Sequence, residues 1–305
     1  MKRLPDHSLL IVGPGAMGLL FAARLQRAGM KIGLLDHCAA RAKRLHRIRL
    51  QENGGAYVAP VACSANPRMA ASYTHLLICV KAYATAQVVA ALKPHLRKDA
   101  RVLSLQNGLG NREVLAELPC RDHVRIGSTS YGAYRVADTT VQAAGNGHIQ
   151  LGGEPDDAIC LEWQRLLAQA GFLVEITNHI DEMLWTKLIL NAAINPVTAL
   201  FCLRNGDLPH TPEAWKTACA LLQESVAVAN ALEIHIDAHA AMDKLRAVCE
   251  ATQENRSSML VDLQTGKSTE VECINGAIVR TGAQAGIPTP RNETIIRQIH
   301  AREPG

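Results

Sequence analysis

The sequence predicts an α/β N-terminal domain, residues 1–178, followed by an all-α C-terminal domain, residues 179–305. Three observations carry this. Short apolar runs of strand character alternate with helical periodicity as far as Ile176. The first such run leads directly into Gly13-Pro14-Gly15-Ala16-Met17-Gly18. Beyond Asn178 the apolar residues recur only at helical spacing, and strand signals stop.

Taken in order, Ser8 to Val12 reads as a short buried strand, and a helix follows the glycine-rich turn through Ala28, closed by Gly29. Lys31 to Leu35 is a second strand ending at Asp36, 18 residues after Gly18. Strand, G-x-G-x-x-G, helix, strand and acid is the order of a Rossmann-type dinucleotide-binding unit. The first glycine makes the tight turn, the second admits a pyrophosphate, and the third lets helix and strand pack closely. Free N–H groups and the dipole at the helix start favour an anion there. Leu76 to Val80 is the next strand, ending in Lys81, with a helix from Thr85 to Leu96. Arg101 to Leu105 is another, ending in Gln106-Asn107-Gly108-Leu109-Gly110. Lys81 and Asn107 thus occupy carboxyl ends of strands, where an open α/β sheet binds its ligand. As plain structure, each would be a solvated strand end or a turn former. Ile126 to Tyr134, Thr140 to Ala143 and His148 to Leu151 read as a meander adding antiparallel strands to the sheet edge. A helix from Ala158 to Gln169 and a strand from Phe172 to Ile176 complete the domain.

The second domain opens on Asp181 to Pro196, where Leu184, Trp185, Leu188, Ile189, Ala192 and Ala193 recur at helical spacing. Lys187, Asn191 and Asn195 stand at i, i+4 and i+8 and line one polar stripe. An amphipathic helix with its lysine in water is the plain reading. The two asparagines weaken it, because asparagine is a poor helix-interior residue. The stripe reads instead as the wall of a polar pocket. A loop at Arg204-Asn205-Gly206-Asp207 precedes a helix from Pro212 to Leu232 and another from Ala238 to Leu263, which carries Asn255, Ser257 and Ser258. Thr269-Glu270-Val271-Glu272 fits a capping box, with Thr269 as cap, Glu272 at N3 and Glu270 at N1. Stabilisation of the helix dipole would by itself account for Glu270 there.

Composition excludes other classes. The 305 residues are room for two cored domains. Apolar residues make up 48%, mean hydropathy is +0.01, and net charge is +4 with no long Lys/Arg run. The densest basic stretch, Arg41 to Arg49, reads as a solvated helix face rather than a nucleic-acid surface. Nine cysteines stand singly, several in apolar runs, as buried thiols in a reducing cytoplasm would. His235 and His239 lie four apart with no third ligand nearby, so no metal site is read. Lys2 and Arg3 precede an apolar stretch from Leu9 to Ala23, but Gly13-Pro14-Gly15 interrupts it and Asp6 and His7 sit in the basic region, unlike a signal peptide. No other segment reaches ~18 uninterrupted apolar residues. The chain reads as cytoplasmic, with neither nucleic acid nor membrane as partner. Oligomeric state is left open, a homodimer included.

Together these pieces resemble the ketopantoate reductase (2-dehydropantoate 2-reductase) family over nearly the whole chain. Gly13-Pro14-Gly15-Ala16-Met17-Gly18 is similar to its cofactor loop, Val80-Lys81-Ala82 to its strand-end lysine and Gln106 to Gly110 to its asparagine turn. Leu184-Trp185-Thr186-Lys187-Leu188 with Asn191, Asn195-Pro196-Val197-Thr198-Ala199, Glu254 to Leu260 and Thr269 to Gly276 are the most characteristic. The resemblance implies NAD(P)H-dependent reduction of the 2-keto group of ketopantoate to (R)-pantoate, towards pantothenate and coenzyme A. By it Lys187 is the proton donor, with Glu270 beside it. Asn191, Asn195, Asn205, Asn255 and Ser258 would contact the substrate; Lys81, Asn107, Ala133 and Glu270 would lie at the cofactor or its junction with substrate. The residue types suit the chemistry, since charge developing on the keto oxygen needs a positioned acid.

One position departs from the family. Many members carry an arginine near the end of the second strand, suited to the 2′-phosphate of NADPH, where this chain has Asp36. A carboxylate there favours ribose hydroxyls and repels a phosphate, so NADH is the expected cofactor, although Arg41, Lys43 and Arg44 follow closely. Two other readings stay open: a related 2-keto acid reductase with another side-chain preference, and a dinucleotide-binding sensor without turnover.

Overall fold

The computed structural model describes residues 8–52 and 54–304. Lys2, Arg3, Asp6 and His7 lie outside the described residues. Contacts divide the chain into two compact units: residues up to Gln106 with Asn111–Ile180, and Asn107–Gly110 with the chain from Asp181 onward.

The first unit holds strands β1 (Ser8–Val12), β2 (Lys31–Leu35), β3 (Arg47–Glu52), β4 (Gly55–Pro60), β5 (Ala62–Ser64), β6 (His75–Ile78), β7 (Arg101–Ser104), β8 (Val124–Thr129), β9 (Gly132–Ala137), β10 (Thr140–Ala144), β11 (Ile149–Gly152) and β12 (Val174–Thr177). Its helices are α1 (Ala16–Arg27), α2 (Ala39–Arg44), α3 (Thr85–Leu92), α4 (Asn111–Leu115) and α5 (Ala158–Gln169). An eight-stranded sheet runs β12-β11-β8-β7-β6-β1-β2-β5, parallel from β5 through β8. The order reverses between β1 and β6, the switch point where such sheets bind ligands. α5 starts at a cap: Asp157 Oδ1 accepts the Ile159 and Cys160 amides at 2.9 Å, and Arg125 of β8 holds its other oxygen at 2.6 Å.

A second sheet, β4-β3-β10-β9, departs from the expected architecture. β9 and β10 do not extend the main sheet edge; β10 pairs parallel with β3, and only β8, β11 and β12 continue the main sheet. The basic stretch Arg41 to Arg49 is not one helix face, because α2 ends at Arg44 and β3 begins at Arg47. Ile48 and Leu50 are buried while Arg47 and Arg49 point out, the alternation of a half-buried strand. α1 contacts strands of both sheets, which is why it is buried without interruption from Gly18 to Leu25. Arg24 survives there by pairing with Glu52 (2.8 Å) and lying over the Tyr131 and Phe172 rings.

The second unit is built from α6 (Ile180–Phe201), α7 (Pro212–Ala231), α8 (Ala238–Ala251), α9 (Ser258–Gln264), α10 (Val271–Ala285) and α11 (Pro290–His300). α6 has the length and mean hydropathy (1.2) of a membrane span, but two thirds of that window is buried inside the protein, as suits a core helix. Pro196 stands within α6 and has no N–H for the Ala192 carbonyl. Asn275 Nδ2 of α10 donates to that carbonyl at 3.0 Å and to Asn292 Oδ1 at 3.0 Å. Asn292 in turn donates to Glu224 of α7. A defect in one helix is thus met by an amide from another, and four helices are tied together. The single helix expected from Ala238 to Leu263 is two. Its middle gives carbonyls to another loop, with Asn205 N–H donating to Asn255 O (2.9 Å) and Gly206 N–H to Gln253 O (3.1 Å). Ser257 then caps α9.

Candidate active site

In the first unit the glycine turn behaves as its spacing requires. Gly13 has φ +89°, and a Cβ on it would stand 2.5 Å from the Val80 side chain. A Cβ on Gly18 would meet the Gly13 carbonyl at 2.3 Å. A Cβ on Gly15 would meet nothing within 4 Å, so open space lies over the middle of the turn. Gly15 is also the N-cap of α1, which has no side-chain cap and no acid in its first turn. Pro14, Ala16 and Met17 complete a backbone cradle suited to a pyrophosphate. Lys81 follows β6, half-buried, next to the Val80 that touches Gly13. Ala133 lies on β9 of the four-stranded sheet.

Asp36 is placed differently from a residue that freely faces a ribose. It is 0% exposed, and its Oδ1 accepts the Cys38 N–H at 3.0 Å. Arg41 Nη1 stands 3.3 Å from its Oδ2, and Arg41 Nη2 donates to the Pro14 carbonyl. The arginine therefore joins the acid at the end of β2 to the glycine turn.

In the second unit Lys187, Asn191 and Asn195 do share one helix, α6, with Lys187 and Asn191 half-buried and Asn195 buried. Burial pushes the Lys187 ammonium down to about 8, and the Glu270 carboxylate partly opposes that shift. Glu270 is itself 6% exposed and is the N-cap residue of α10. The expected capping box does not form. Glu272 points instead to His300 and Arg280, and the Thr269 N–H is taken by Glu303 Oε1 at 2.7 Å. The physical reason is tertiary: α11 brings a carboxylate to the amide that Glu272 would otherwise reach.

Asn205 and Asn255 come together through the backbone bond above. Asn205 Nδ2 donates to Thr252 Oγ1 at 2.9 Å, while its Oδ1 is buried without a hydrogen-bond partner. Ser257, not Ser258, is the buried serine, lying 2.8 Å from Thr198 Oγ1; Ser258 opens α9 exposed. Asn107 is half-buried, and its segment belongs by contacts to this unit, with Gly108 (φ +83°) so close to Cys273 that a Cβ would stand 2.5 Å from its carbonyl. Glu303 and His300 were invisible to sequence reasoning, because no local pattern links them to Thr269.

The model described as "Ketopantoate reductase PanE/ApbA" matches residues 9–155, and "Ketopantoate reductase PanE/ApbA C terminal" matches residues 179–303. The chain belongs to the ketopantoate reductase family. Among the family's members, a 2-dehydropantoate 2-reductase of Archaeoglobus fulgidus is 38% identical over 97% of both chains. A PanE/ApbA family ketopantoate reductase from Ralstonia eutropha JMP134 superposes with a TM-score of 0.86, at 28% identity over 97% of this chain and 98% of that one. The same fold occurs in a D-mandelate dehydrogenase solved with NADH and anilino(oxo)acetate, at a TM-score of 0.91, 22% identity and 97% of both chains.

Proposed function

We propose that this chain catalyses the NAD(P)H-dependent reduction of 2-dehydropantoate to (R)-pantoate. The observation that carries the reading is Lys187, whose ammonium burial brings to about 8 beside the buried Glu270 carboxylate, on a stripe shared with Asn191 and Asn195. A dinucleotide-binding sensor needs no acid of this kind in its second unit.

Gly13, Pro14, Gly15, Ala16, Met17 and Gly18 would hold the pyrophosphate, and Lys81, Asn107 and Ala133 belong to the same cofactor by the family's pattern. When bound there, the nicotinamide would supply the hydride that reduces the keto carbon. Lys187 holds a proton at the keto oxygen, gives it up as negative charge develops there, and stabilises that charge until it does. Glu270 keeps Lys187 protonated against the desolvation that would strip it. Asn191, Asn195, Asn205, Asn255 and Ser258 hold the substrate's carboxylate and hydroxyl without competing for the proton. The unpaired, buried Asn205 Oδ1 favours this role, since an acceptor left without a donor costs about 1–3 kcal/mol that a substrate hydroxyl would recover.

NADH is the preferred nucleotide in this reading. Arg41, which stands 3.3 Å from Asp36, is already balanced by that carboxylate and by the Pro14 carbonyl. A 2′-phosphate there would meet a neutralised pair.

The test is oxidation of reduced nicotinamide with 2-dehydropantoate and a panel of other 2-keto acids, for wild type and Lys187→Ala. Turnover should be highest with 2-dehydropantoate, and the mutant should lose at least ~100-fold in kcat while still binding nucleotide. Turnover confined to another keto acid would move the substrate assignment, and full activity in Lys187→Ala would end the proton-donor assignment.

A further inference from the structure

The amide that Glu272 was expected to cap is held by a chain of charges from the far end of α11. Glu303 Oε1 accepts the Thr269 N–H at 2.7 Å, and its Oε2 lies 2.9 Å from His300 Nδ1. The other ring nitrogen, Nε2, lies 2.9 Å from Glu272 Oε1. Arg280 approaches the second Glu272 oxygen at 3.5 Å and donates to the Glu272 carbonyl at 3.1 Å. A neutral imidazole has one N–H, so only the imidazolium donates to both carboxylates. The Glu272 and Glu303 bonds accordingly raise the His300 pKa above its ordinary value, against a weaker effect of burial. Burial works against the charge on Glu303, but Thr269 and His300 outweigh it and hold its pKa below the carboxylate value. Elsewhere around α11, Glu224 of α7 sits at its opposite end on the Arg291 and Asn292 amides, and Arg302 donates to the Leu200 carbonyl.

What this chain grips is the residue next to Glu270. Thr269 is buried, and its Oγ1 accepts the Val271 N–H at 3.2 Å, so Thr269 bonds bracket Glu270 on both sides. We propose that Glu303 and His300 are positioning residues for the Lys187–Glu270 pair: a histidinium clasp that holds the Thr269 amide and so sets where the Glu270 carboxylate stands against Lys187. The clasp rests on the reading of Lys187 as proton donor. It is intact below the ordinary histidine value of 6.5 and releases as pH rises through the raised value of His300.

The experiment is the pH profile of kcat/KM for the whole enzyme with 2-dehydropantoate, in wild type, Glu303→Ala, Glu303→Gln, His300→Gln and Lys187→Ala. Glu303→Ala should lower kcat on the order of tenfold and leave the nucleotide KM within about twofold. Its basic limb should move to lower pH, because a displaced Glu270 no longer sustains the Lys187 proton. Glu303→Gln keeps an acceptor for the amide and should recover most of kcat, whereas His300→Gln should lose the dependence on histidine protonation. A purely structural role would lower the melting temperature and leave the basic limb in place, which overturns the proposal. If Glu303→Ala does not fold, an unmoved limb in both glutamine variants overturns it equally. Full activity in Lys187→Ala removes the underlying reading instead, a result separate from an unmoved limb with Lys187→Ala inactive.

Discussion

At the scale of residues, the proposed function turns on two charge pairs. In the proposed mechanism Lys187 and Glu270 set the proton, and the sign of the expected pH dependence follows from them. As a proton donor Lys187 must be the ammonium, which burial pushes down from 10.5 to about 8. We therefore expect kcat/KM to fall as pH rises through about 8, and a profile flat to pH 10 would exclude Lys187 as the acid. In the same proposal Asp36 and Arg41 set the nucleotide preference. Asp36→Ser frees Arg41 for a phosphate and should raise the NADPH-to-NADH ratio of kcat/KM by about tenfold, or ~1.4 kcal/mol. An unchanged ratio would mean that the pair does not read the 2′ position. The acid after β2 was legible in the sequence, as was the lysine stripe, because each sits at a fixed spacing from a strand end or along a helix. Arg41 was legible only as a nearby cation; that it neutralises Asp36 is a matter of side-chain approach.

At the scale of elements, α6 shows how a helix tolerates a proline. Proline within a helix costs roughly 3 kcal/mol, part of it the orphaned carbonyl four residues back. Asn275 supplies the missing donor to Ala192. Asn275→Ala should therefore destabilise the second unit by about 2–3 kcal/mol. In urea titration this appears as a lower midpoint with an unchanged slope. A loss under about 0.5 kcal/mol would mean that the carbonyl finds another donor. Periodicity located α6 and α7 well, since a long buried face is written into the chain every three or four residues. It misjudged α8 and α9, whose pattern runs through Thr252 to Ser257, because backbone bonds from Asn205 and Gly206 break the helix there. Strand β3 was missed for a different reason: the basic side chains of Arg47 and Arg49 hid the alternation of Ile48 and Leu50.

At the scale of the molecule, each unit carries its own core, and the proposed chemistry divides between them. If the turn after β1 binds the nucleotide as proposed, a ligand at about 100 times its Kd should stabilise the first unit by ~2.7 kcal/mol. NADH at that level should raise its melting temperature by about 5–10 °C, and equally in Lys187→Ala, since Lys187 belongs to the second unit. A shift absent with both nucleotides would end the glycine-turn assignment.

The sequence by itself determined strands β1, β2, β6 and β7 of the parallel sheet, the glycine turn, the acid after β2, the helical second half and the Lys187 stripe. These are local: each depends on residues a few positions apart, whose spacing converts directly into a face, a turn or a strand end. Tertiary structure alone decided that β9 and β10 join β3 and β4, that Arg41 closes over Asp36, that Asn275 repairs α6 and that Glu303 holds Thr269. Each of those pairs residues distant in the chain, and its energy exists only once folding has brought the partners together.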